Sequence, residues 1–107
     1  MKRIANFIPS LSGGGAERVV VNLLRAFDRN KVIPLLITGS ATGPFADKIP
    51  DDVEVIDLKT AQMRKATRPL IEVLNRQKAD LLISHLSHAN IALLRAARKA
   101  NYRPKIA

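Results

Sequence analysis

Three consecutive glycines, Gly13-Gly14-Gly15, stand between Ser12 and the charged pair Glu17-Arg18. Backbone without side chains can approach a ligand closely and adopt positive φ. If a helix opens directly after it, free N–H groups and the positive end of the helix dipole together attract an anion. Arg18 then falls in the first helical turn, where a guanidinium can meet a phosphate or a sugar-linked acidic group. Ser12, Gly13, Gly14, Gly15 and Arg18 are the candidate anion-binding set. The same run also suits a flexible turn that lets a helix pack tightly on a sheet. Two familiar phosphate loops fit poorly. A dinucleotide fingerprint wants glycine at its first, third and sixth positions, and Arg18 occupies the sixth. The stretch that would end the second strand, Thr38-Gly39-Ser40, offers no acid to hold a ribose. A P-loop closes on Gly-Lys-Ser/Thr, which the chain lacks.

His85 and His88 form a second set. Their spacing suits a metal on a helix, but the segment reads as a loop and no third ligand is evident, so no metal is expected. They are candidates for contacts to a ligand hydroxyl, and equally for loop histidines satisfied by backbone groups.

Both sets need elements to hold them. Arg3 to Ile8 is a short run of β-formers closed by Pro9-Ser10 and reads as a strand. From Ala16 the period changes. Val19, Val20, Leu23, Leu24 and Phe27 recur at helical spacing, opposed by Arg18, Asn22, Arg25 and Arg29. Val32 to Thr38 is a second apolar run. Pro34 inside it removes a ladder donor, which predicts an edge position or a break before Leu35. Ser40 to Asp52 reads as a loop with one helical turn at Phe45 to Ile49. Val53 to Leu58 reads as a short strand, Thr67 to Lys78 as a helix, and Asp80 to Ser84 as a buried strand. His85 to Ala89 is a loop. Asn90 to Ala100 is a helix with Ile91, Leu94 and Ala97 inward, and Lys105-Ile106-Ala107 begins another strand.

Strands alternating with helices predict an α/β fold: a Rossmann-like parallel sheet of about four strands with flanking helices. Ligands of such sheets bind beyond the carboxyl ends of the strands. The loops at that edge are Pro9 to Gly15 and His85 to Ala89. The sequence ends as a strand begins, so the sheet is expected to be truncated and to continue in a longer protein.

The bulk numbers exclude several classes. Hydrophobic residues make up 47% and charged residues 25% of 107 residues, the composition of one ordinary globular domain. Without cysteine there is no disulfide and no thiolate metal site. No apolar run approaches the roughly 18 residues of a membrane span. The basic, apolar N-terminus is too short and is interrupted by Asn6, which argues against a signal peptide. A cytoplasmic protein is expected. The net charge of +9 favours anionic partners. Aromatic residues are only 4%, too few for a base-stacking platform, so nucleic acid is not expected as a partner. Lys59 to Lys78 and Arg95 to Lys105 concentrate the basic residues. They read as solvated helix faces or as a surface for an anionic membrane.

The stretch Phe7-Ile8-Pro9-Ser10-Leu11-Ser12-Gly13-Gly14-Gly15-Ala16-Glu17-Arg18-Val19-Val20 closely resembles the opening of glycosyltransferase family 4 proteins, which have the GT-B architecture. The resemblance continues through Gly43-Pro44-Phe45, Val53-Glu54-Val55-Ile56-Asp57-Leu58 and Asp80-Leu81-Leu82-Ile83-Ser84-His85. It covers nearly the whole chain and corresponds to the first half or so of the family's N-terminal domain. It implies two Rossmann-like domains facing across a cleft. The C-terminal domain, expected beyond Ala107, would bind most of the nucleotide sugar and carry a pair of glutamates. The N-terminal domain would bind a glycan or lipid-linked acceptor, with Gly13, Gly14 and Gly15 near the donor diphosphate. The resemblance further implies retention of anomeric configuration, no metal and no cofactor besides the nucleotide-sugar substrate. His85 matches the histidine that begins the family's corresponding loop. Leu86 and Ser87 stand where the family has an acidic residue and proline. The family's better-known catalytic histidine follows the next strand, so no catalytic group is expected within these residues. Lipid-linked acceptors would bring the protein to the inner membrane face as a peripheral partner. The alternative is a non-catalytic α/β module that binds a phosphorylated ligand at the glycine-rich loop.

Overall fold

The computed structural model describes residues 2–11, 15–41, 43–60, 65–85, 94–96, 98 and 105–106. Five parallel strands lie in the order β3-β2-β1-β4-β5. They are β1 (Lys2–Ser10), β2 (Val32–Ser40), β3 (Glu54–Asp57), β4 (Leu81–Ser84) and β5 (Lys105–Ile106). Helix α1 (Gly15–Ala26) joins β1 to β2, and α2 (Thr67–Gln77) lies between β3 and β4. A 3-10 turn at Ala46–Lys48 interrupts the β2–β3 connection. This is the expected Rossmann-like α/β fold, with the strand that begins at Lys105 as the fifth member of the sheet.

Alternation along the strands divides the core. Ala5, Phe7, Leu35, Ile37 and Leu82 pack with Leu70, Val73 and Leu74 of α2 on one face. Ile8 and Leu36 pack with Val20 and Leu24 of α1 on the other. Inner strands of a parallel sheet are covered on both faces, which is why β1 and β2 read as near-continuous apolar runs.

Several boundaries and faces differ from the expectation. The buried stripe of α1 is Glu17, Val20, Val21 and Leu24. It is rotated from the expected face, and Val19 is 52% exposed. The spacing i, i+3, i+4, i+7 holds, but its anchor is a glutamate that an apolar count passes over. Gly15 is the first residue of α1 rather than part of the preceding loop. β1 runs on through Pro9 and Ser10. Pro34 lies within β2, opposite Ile4, and causes no break. β3 joins β2 only from Leu35, so at Pro34 one flank of the strand is still open. Among the residues expected to form the last helix, 94–96 and 98 are helical. There Ala96 is buried in the α2-side core while Leu94 is 54% exposed, so the inward face is again rotated. Ile91 and Ala97 lie outside the described residues.

The amino ends of β1 and β4 are fastened together. Arg3 and Asp80 exchange two hydrogen bonds: the Arg3 N–H donates to Asp80 Oδ2, and the Asp80 N–H to the Arg3 carbonyl, each at 2.8 Å. The Arg3 guanidinium also donates to the Gln77 carbonyl at 3.0 Å. These contacts fix the register of the strand pair that carries the site.

Candidate functional site

The chain leaves β1, builds β2 and β3 to one side, and returns to lay β4 on the other side of β1. The carboxyl ends of β1 and β4 are therefore the point where strand order reverses, the usual position of a ligand crevice in such sheets. The segments that follow these strands are the glycine-rich stretch and the histidine stretch. Residues distant in sequence thus share one edge.

Of the expected site residues, the structure describes Gly15, Arg18 and His85. Ser12, Gly13, Gly14 and His88 lie outside the described residues. Gly15 opens α1 and is exposed, with no atom within 4 Å of where a Cβ would stand. Arg18 lies on the outer flank of α1. It lines a groove of about 200 Å³ together with Val21, Asn22, Arg25, Phe45 and Lys48. Glu17, its neighbour in the first turn, faces the sheet and is buried. Acid near a helix N-terminus is favoured by the dipole, which helps to hold a carboxylate in that position.

His85 follows β4 directly. Its N–H donates to the Phe7 carbonyl at 3.0 Å, which extends the β1–β4 ladder by one bond. Its ring Nε2 lies 3.0 Å from Asn6 Oδ1. The imidazole is partly buried, and that burial lowers its pKa below the ordinary value of 6.5, because a desolvated ring resists taking a charge. Among the described residues, no three or more His, Asp or Glu converge on one point.

Asn6 was not singled out as a site residue in the sequence. It is fully buried, between Leu36 and Ile83 in register, on the face that α1 covers. Its Oδ1 meets His85, and its Nδ2 has no hydrogen-bond partner among the described residues. An unmet buried donor costs about 1–3 kcal/mol. The available signal was a lone amide inside an otherwise apolar β-run, Ile4-Ala5-Asn6-Phe7-Ile8. Glu17 carried a similar signal, an acid on the buried stripe of a helix.

A parallel sheet covered on both faces, with a glycine-rich segment leading into a helix at the strand-order reversal, defines a Rossmann-like α/β domain. The Glycosyltransferase Family 4 model matches residues 13–107, and the chain belongs to that family. Its function is glycosyltransferase-like in kind. No curated protein matches the chain. Among the described residues, no helix is long and apolar enough to cross a membrane.

Proposed function

We propose that this chain forms the acceptor-side wall of a retaining, nucleotide-sugar-dependent glycosyltransferase. In this reading it works opposite a second α/β domain that contributes most of the donor contacts. The observation that carries the proposal is that β1, which leads into Leu11 and the glycine run, and β4, which leads into His85, lie side by side and parallel at the strand-order reversal, in a chain of this family. In the reaction, the bond between the sugar's anomeric carbon and the donor phosphate breaks. The nucleoside diphosphate leaves with that electron pair. The acceptor oxygen bonds to the same carbon on the same face and gives up its proton to the departing diphosphate oxygen.

The negative charge that develops on the leaving diphosphate needs fixed positive partners. Backbone N–H groups of Ser12 to Gly15, the N-terminus of α1 and the Arg18 guanidinium supply them in this proposal. This arrangement asks for no metal. His85 and His88 contact hydroxyl groups of the acceptor, a glycan or a lipid-linked saccharide. Exposed basic residues, among them Arg68 and Arg76 of α2, draw the protein to an anionic membrane surface at the cytoplasmic face.

The test is transfer by the two-domain protein. Gly14→Val places a branched side chain where the diphosphate should approach. We expect kcat/KM to fall by about 100-fold, the scale of losing one oxyanion donor. Activity within two-fold of wild type would overturn the role of the loop. Binding of nucleotide sugars without transfer would instead favour the non-catalytic module. The 107-residue chain alone should show no turnover, and detectable transfer by it would overturn the assignment of the catalytic groups to the second domain.

A further inference from the structure

Asn6 and His85 form a hydrogen-bonded pair that bridges the two strands at the reversal point. Asn6 belongs to β1, His85 follows β4, and the two are 79 residues apart in sequence. Packing does not require the amide. Its register neighbours are Leu36 and Ile83, and Ile8, two residues on, packs among apolar side chains of α1. Among the described residues its side chain makes one hydrogen bond, the contact with His85, and its Nδ2 meets no partner.

An amide oxygen only accepts, so the nitrogen facing it must carry the proton. A neutral ring protonated at Nε2 keeps its lone pair on Nδ1. We propose that Asn6 is a positioning residue that holds His85 in the Nε2–H tautomer and so presents Nδ1 as a hydrogen-bond acceptor for a hydroxyl of a sugar-like ligand in this crevice. That the hydroxyl belongs to the acceptor rests on the transferase reading; the tautomer does not. Burial supports the assignment, since it keeps the ring neutral around pH 7. The charged group that α1 brings to this face of the sheet is Glu17; Lys2 and Arg3 of β1, and Asp80 just before β4, lie at the opposite end. Protonating Nδ1 turns the acceptor into a donor, so hydroxyl binding through it weakens as pH falls.

Imidazole ¹⁵N spectra of the 107-residue chain test the proposal, with methyl α-D-glucopyranoside as the probe. The expected wild-type result is a single neutral tautomer, with Nε2 protonated and Nδ1 bare. Saturating glucoside should move the Nδ1 resonance and leave Nε2 nearly still. Asn6→Leu removes the unmet donor and should keep or raise stability, yet leave His85 as a mixture of tautomers with the glucoside response lost. Asn6→Asp should keep the Nε2–H tautomer and raise the His85 pKa through the added charge. The opposite amide orientation would put the proton on Nδ1, and finding it there overturns the proposal. So does an unchanged tautomer in Asn6→Leu, or an Nδ1 resonance in wild type that ignores the glucoside. If the tautomer and glucoside response hold while the two-domain protein transfers no sugar, the transferase reading fails and this one stands.

Discussion

His85 ties protonation to stability. Its folded-state pKa lies below 6.5 because burial penalises the charged ring. The unfolded chain therefore binds the proton more readily between the two values, and stability rises with pH across that window. We expect full His85-dependent stability above about pH 6.5, the ordinary histidine value, and a decline as pH falls below it. Urea unfolding at a series of pH values checks this. The decline should be smaller in His85→Gln, which cannot titrate; an identical pH profile in that variant would remove His85 as the cause. Gly15 poses a different question at the same scale. Nothing crowds the place of its Cβ, and it already opens a helix. Gly15→Ala should therefore leave the ligand-free chain as stable as before or stabilise it by up to about 1 kcal/mol, through the unfolded state. If the glycine serves close approach of a diphosphate, the same variant weakens nucleotide-sugar binding in the two-domain protein. Denaturant curves and binding titrations on the one variant separate the two roles.

The end of α2 departs from a local rule. α2 ends on Lys78 in the left-handed region, at φ 49° and ψ 51°, where its N–H closes on the Leu74 carbonyl at 3.2 Å. Glycine is the usual residue in that cap, since a Cβ there costs roughly 1–2 kcal/mol. Glycine's greater freedom when unfolded gives back part of the gain. Lys78→Gly should stabilise by about 0.5–1 kcal/mol in urea denaturation, and a destabilised variant would show that the lysine side chain has a packing role. In the core, Leu36 is fully buried against Ile8, Val20 and Leu24, and Leu36→Ala should cost about 2–5 kcal/mol. The strands, both helices and the parallel sheet were legible because apolar periodicity is a local property. The buried face of α2 was legible too, since Leu70, Val73 and Leu74 do pack inward; that of α1 was not. α1 buries Glu17 and exposes Val19, and an apolar count assigns both to the wrong side. Strand order is likewise non-local: nothing in the residues beside Pro34 says that β3 begins pairing one position later. The glycine and histidine segments were legible as residue types. The Asn6–His85 contact became visible only once β4 was set beside β1.

Across the whole molecule the charges are sorted. Residues 47–57 hold Asp47, Asp51, Asp52, Glu54 and Asp57, five of the nine acids. From Lys59 onward, eleven Lys and Arg face only Glu72 and Asp80. Asp52 is itself engaged at the surface: Arg29 Nε donates to its Oδ2 at 2.6 Å and holds the carboxyl below its usual pKa, chiefly by that hydrogen bond. The exposed cations that the structure describes in the second half include Lys65, Arg68, Arg76 and Lys78 around α2, on the face of the sheet away from α1. Such sorting orients a molecule at an anionic surface as well as attracting it. Each basic residue close to that surface contributes about 1 kcal/mol. Replacing Arg68 and Arg76 together by glutamine should then weaken partitioning onto phosphatidylserine-containing vesicles by roughly 30-fold, the equivalent of about 2 kcal/mol. Both side chains are exposed, so the unfolding midpoint should barely move. Raising salt from about 0.1 M to 1 M shortens the screening length from roughly 10 to 3 Å and should release the wild-type chain. Co-sedimentation that is indifferent to anionic lipid and to salt would leave the basic residues as solvated faces and end the case for membrane association.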